Sequence, residues 1–213
     1  MTRPHMKPQI QPDMNDERQA GAGKAGAFAS LAGKILLAMP GMGDPRFHHA
    51  VIVLCAHDAN GAMGLVINHA LPGMAFTDLL EQLKIASTIE VKALGAPVLS
   101  GGPVEGSRGF LLHSNDFAQK DTVRIDADLS ITGTVEALRD VVAGNGPQRF
   151  LFILGYAGWG AGQLEAELQE NAWMVVDADP EIIFNAPMDD KWQRAFQKLG
   201  FEPGRISAAA GRA

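Results

Sequence analysis

Cysteine is almost absent from this chain: Cys55 stands alone inside the apolar run VIVLCA. A single thiol excludes an intramolecular disulfide and any CxxC metal site, and a cysteine in such a run reads as a small buried hydrophobe. Basic charge is also scarce. Lys and Arg total 18 against 24 Asp and Glu, a net charge of −6, and the basic residues are scattered singly. A chain that holds nucleic acid by neutralising phosphates carries a basic excess or stripe, so direct nucleic-acid binding is disfavoured. No uninterrupted apolar run is long enough to span a bilayer, since AGAFASLAGKILLAMP is broken by Lys34. The opening MTRPHMKPQIQPDMNDERQ lacks the apolar core of a signal peptide. These absences point to a cytoplasmic globular protein with no membrane contact.

Familiar catalytic strings are missing as well. There is no GxSxG elbow, no HExxH pair and no Walker loop. The one literal GxGxxG match, GAGKAG at 21–26, follows NDERQA rather than a buried strand. A dinucleotide site needs that string between a strand and a helix, so it carries no cofactor expectation. Residues 1–29 are poor in large apolar side chains and read as a disordered tail.

What is present is one alternating set of apolar runs and turn marks. KILLAM (34–39), AVIVLCA (50–56) and MGLVIN (63–68) read as strands separated by PGMGDP and by the Asn-Gly turn of HDANGA. FTDLLEQLK (76–84) places Phe76, Leu79, Leu80 and Leu83 on one helical face, with Thr77 as the expected cap. Further strands are expected in APVLSGGPVEGSRGFLLH, TVRID, LSIT, RFLFILG (149–155) and WMVVDADP. TVEALRDVVAG and DDKWQRAFQKLG read as helices that stop at Gly144 and Gly200. The early strands look hairpin-linked, which favours an α+β fold over a doubly wound sheet. One domain over 30–207 and a short tail at 208–213 are expected.

Several side-chain groups merit weighing. Five of the six histidines lie between 48 and 113, but no pair has metal-site spacing, and His48 and His49 in a strand would point to opposite faces. They read as surface or loop-end residues, and no metal is expected. His57 and His113 each end an apolar run and could share one rim of the sheet. Ser100, Ser114, His113 and Asp116 assemble into a triad only on paper. SGGPVEGSRG offers Arg108 as a fork for a carboxylate or phosphate, or as a simple partner of Glu105. GYAGWGAGQLEAEL (155–168) reads as a glycine-rich turn running into a helix. Free N–H groups there favour anions, but Gln163 stands near the place of the Walker Lys-Ser/Thr, and Glu165 and Glu167 would repel phosphate. The alternative is structural, with the glycines letting Trp159 fold over a sheet edge. The candidate ligand-binding residues are therefore Arg108, His113, Gly158, Trp159, Gly160, Gly162 and Gln163. No catalytic set and no cofactor is assigned.

Three blocks together resemble the YqgE/AlgH family of bacterial proteins: LAGKILLAMPGMGDPRFHHAVIVLCAHDANGAMGLVIN, LSGGPVEGSRGFLLHS and GYAGWGAGQLEAELQENAWMVVDADPEIIF. DDKWQRAFQKLG matches the family's closing helix. The resemblance implies a compact α+β domain on a curved, mixed, mostly antiparallel sheet that approaches a barrel, flanked by short helices. Members often carry a transcriptional-regulator label, but the family supplies no accepted catalytic set. One departure is His48-His49, where the family more often has a polar or basic residue followed by Ser. The lead reading is a regulatory domain that binds a small molecule or a protein. The rivals are an enzyme acting on a small anionic metabolite, with Arg108 and His113 stabilising charge, and a DNA-binding regulator.

Overall fold

The computed structural model describes residues 29–86 and 96–201; the tail calls at both ends and GAGKAG lie outside the described residues, apart from Ala29. The strands are β1 (Lys34–Ala38), β2 (Val51–Asp58), β3 (Gly61–Val66), β4 (Ala70–Ala75), β5 (Pro97–Ser100), β6 (Val104–Ser114), β7 (Thr122–Arg124), β8 (Leu129–Thr132), β9 (Phe150–Gly160) and β10 (Trp173–Asp177). The helices are α1 (Phe76–Gln82), α2 (Val135–Val142), α3 (Gln163–Gln169) and α4 (Met188–Lys198). The sheet order is β10-β1-β2-β3-β9-β6-β8-β7, with β4 and β5 joined to it through a parallel β5–β9 pairing. The other pairings are antiparallel. The expected α+β class and curved, mostly antiparallel sheet are both present, as a curled half-barrel with short helices. No helix among the described residues is long and apolar enough to cross a membrane.

Alternation along the strands distributes three apolar clusters. From β1, Ile35 and Leu37 enter the hollow of the half-barrel, where Trp192, Ala195 and Phe196 of α4 fill it. Leu36 and Ala38 face the other way, into a cluster with Trp159, Leu164 and Trp173. A third cluster lies beneath α1 and α2, around Phe76, Leu111, Leu138 and Phe152. Both faces of the central strands are covered, which explains why KILLA and VIVLC are apolar at every position after Lys34. Burial of Cys55 pushes its thiol up to about 12, consistent with an inert packing role.

Helix ends follow the sequence signals in part. Gly144 and Gly200 sit just past α2 and α4 in the left-handed conformation. Thr77 does not cap α1; the helix begins one residue earlier, and the Asp78 carboxylate accepts from the Ala75 N–H at 2.7 Å. Asp179 caps the single π-helical turn at Glu181–Asn185 by accepting from the Glu181 N–H.

Candidate functional site

The glycine-marked block differs from its expected form. GYAGWG is the second half of the eleven-residue strand β9, and the turn before α3 is only Ala161-Gly162. Ala157 and Trp159 point inward while Gly158 and Gly160 are exposed, a period-2 pattern. Gly155, at φ 71°, bends the strand where it crosses the β5–β6 turn. Trp159 pairs with Ala62 of β3, whereas the β6 ladder on the other side of β9 ends at Tyr156. Its indole N–H donates to Glu167 Oε2 at 2.8 Å, and Trp173 donates to the same oxygen at 2.7 Å. Gln163 accepts from the Gly160 N–H at 3.0 Å and donates to Glu167 Oε1 at 2.9 Å. The block thus satisfies its own polar groups. Glu167→Ala leaves two buried indole donors without an acceptor, and is expected to cost roughly 2–3 kcal/mol. Urea unfolding followed by tryptophan fluorescence checks this; a loss below about 0.5 kcal/mol would show that the carboxylate is dispensable.

Arg108 lies in a bulge of β6 and pairs with Glu105 at 3.1 Å, both side chains largely exposed. Its guanidinium also rests over Phe110, 5.2 Å from the ring centroid. His113 is fully buried. Its Nδ1 donates to the Ser114 carbonyl at 2.8 Å, and its Nε2 lies 2.9 Å from Thr132 Oγ1. With Nδ1 protonated, the neutral ring accepts from Thr132, which accepts from Thr122 at 2.7 Å, which in turn accepts from the Gln119 N–H. That one-directional chain needs no charge, and burial holds the ring below the usual histidine range. Ser114 Oγ bonds to Asp116, and neither His113 nitrogen engages it, so the paper triad does not form.

His57 and His113 do not share a rim. Through the sheet register, His57 aligns with Trp159 of β9 and His113 with Phe150, nine residues apart or about 30 Å of strand. His57 instead accepts from the Leu31 N–H at 3.0 Å through Nδ1 and meets Glu165 Oε1 at 2.8 Å through Nε2.

The histidines that do converge are His48, His49 and His69. His48 and His49 are not in a strand. They follow a 3₁₀ turn at Pro45–Phe47, and His49 takes φ 53°, a left-handed backbone rare for a non-glycine residue. That reversal stacks the two rings 3.9 Å apart and lays His49 on Trp192 of α4, with centroids 4.1 Å apart. The turn is pinned by its neighbour across the sheet. Asn68 donates to the His49 carbonyl at 2.8 Å and accepts from the Val51 N–H, while His69 Nε2 donates to the His48 carbonyl at 3.1 Å. The three imidazoles open on a cleft of about 460 Å³, completed by Asn68, Asp189, Trp192 and Gln193. Desolvation and then the charges of His48 and His69 hold His49 below the usual range; burial holds His69 below it too, partly opposed by the hydrogen bond to the His48 carbonyl and reinforced by the His48 charge. Among the described residues, no group of three His, Cys, Asp or Glu is arranged to hold a metal ion. The sequence signal was the His-His pair with a third histidine 20 residues on; the strand reading of 48–49 concealed it.

Comparison with known proteins places this architecture. A family model described as AlgH-like matches residues 35–204. A UPF0301 protein of Methylocella silvestris is 49% identical over 197 residues, covering 90% of this chain and 96% of that one. A UPF0301 protein of Jannaschia sp. is 51% identical over 188 residues, covering 86% and 95%. The solution structure of the AlgH protein from Pseudomonas aeruginosa superposes with a TM-score of 0.70 at 39% identity, over 90% of this chain and all of that one. A Corynebacterium diphtheriae crystal structure at 19% identity, with a TM-score of 0.64 over 78% of this chain and 85% of that one, shares the fold. With the model spanning nearly the whole described domain and relatives at about half identity, the chain belongs to the AlgH-like family.

Proposed function

We propose that this protein is a regulatory binding domain whose ligand is a small anion held in the imidazole cleft. The observation that supports this is the stacking of His48 and His49 on one reversed turn, with His69 beside them on the same opening. Charge on His48 opposes protonation of His49 and of His69, and an anion reverses that opposition by compensating the positive charge. Asp189 is the one carboxylate on the lining, and it directs an anion to the turn rather than to the helix. The rival enzyme reading relies on Arg108 and His113, and His113 has no exposed surface. A DNA-binding reading is weakened by charge pairing: among the described residues Lys34, Arg46, Arg108, Arg194 and Lys198 each pair with a carboxylate.

The depressed histidines also set an acid limit. Their folded-state pKa lies below the unfolded value, so the stability they contribute is present above about pH 6.5 and is lost as pH falls through the folded value. Inorganic phosphate is expected to raise the His49 and His69 titration midpoints in imidazole NMR and to blunt this acid loss. His49→Gln removes the effect, and Asp189→Asn strengthens phosphate binding. Midpoints that do not move at tens of millimolar phosphate would rule out an anion site in this cleft.

A further inference from the structure

The opposite side of the α4 N-terminal turn carries a second, independent feature. Lys191 is only 2% exposed, although the neighbouring Asp189 and Asp190 are exposed. Its ammonium donates to the Ile183 carbonyl of the π-helical turn. No carboxylate among the described residues pairs with it. The side chain lines a cavity of about 150 Å³ whose other walls include Phe76, Phe150, Phe152, Phe184 and Met188. Arg149 places a second cation over Phe184, 5.3 Å from the ring centroid.

A buried ammonium with one neutral acceptor is an unfavourable arrangement, because its charge lacks the compensation that water supplied. A ligand that brings a carboxylate and an apolar body relieves both defects at once: the carboxylate pairs with the ammonium, and the body fills the aromatic walls. A void near 150 Å³ lined by large apolar side chains accepts a single benzene-sized ring. We infer that the cavity between α4, β9 and α1 is a binding site for a small aromatic carboxylate, with Lys191 as its anchor. The ring packs among the phenylalanines, and the carboxylate takes hydrogen bonds from the ammonium protons that Ile183 leaves free. The positive charges at Lys191 and Arg149 both favour the anionic form of the ligand over its neutral analogue.

The test uses benzoate and its neutral isostere benzamide, titrated into the full chain by calorimetry and by protein NMR. Benzoate is expected to bind one per chain at least about tenfold tighter than benzamide, the weight of one charge-assisted hydrogen bond. Lys191→Met is expected to abolish that preference and His49→Gln to leave it intact, which separates this cavity from the imidazole cleft. Should Lys191→Met fail to fold, the benzoate-to-benzamide ratio on the unaltered protein still decides. Equal affinity for the two probes, no saturable binding, or a preference lost in His49→Gln instead of Lys191→Met overturns the inference.

Discussion

Gly102→Ala is expected to leave almost no folded protein. Gly102 has φ 147° in the turn between β5 and β6, a region that L-residues with a β-carbon avoid. A β-carbon there would lie 2.3 Å from the Tyr156 carbonyl carbon and 2.4 Å from the Ala157 nitrogen. Both are backbone atoms of β9, which β3 and β6 hold from its two sides, so neither can yield without breaking the sheet. Unfavourable φ and a backbone overlap together cost at least about 4 kcal/mol, close to the lower end of the 5–15 kcal/mol that a domain possesses. Gly106→Ala is the control. It lies a few residues on in the same segment, with nothing within 4 Å of its added carbon, and is expected to stay within about 0.5 kcal/mol of the parent. Soluble yield and urea midpoints of the two variants check the contrast; a cooperatively folded Gly102→Ala would show that the β5–β6 turn can move off β9.

Lys191 predicts a large effect of a different kind, on the pH dependence of stability. Burial depresses its ammonium to about 8 from an ordinary value of 10.5. Between those values the unfolded chain retains a proton that the folded chain has released, so stability rises with pH across that window. At about 1.4 kcal/mol per unit, the gain is about 3 kcal/mol. Comparing the parent with Lys191→Met cancels the other titrating groups. The parent is expected to gain about 3 kcal/mol relative to the variant between pH 7 and about pH 10, read from urea midpoints. Parallel pH curves would place the ammonium in a solvated setting and remove the physical basis for a charged anchor in the cavity.

Both effects arise from contacts between distant parts of the chain, which explains how unevenly they could be read beforehand. LSIT appears as β8 at the expected residues, and Gly144 and Gly200 stop their helices as expected, because strand alternation and helix termination are local. GYAGWG was harder. Glycine is depleted in strands, so four glycines in eight residues suggested a turn, while the inward Ala157 and Trp159 already carried strand alternation.

The order of apolar runs, turn marks and glycine blocks in this sequence suffices to determine an α+β, mostly antiparallel domain and its family, because each of those signals lies within a few residues. The two candidate sites were decided only in three dimensions. His49 meets Trp192 because a reversed turn and the first turns of α4 close over the same end of the half-barrel. Lys191 reads as part of a polar first turn, DDKW, until Phe76, Phe150 and Phe184 arrive from three other segments to enclose it. Burial is a property of what covers a residue, and the residues that enclose Lys191 are far away along the chain.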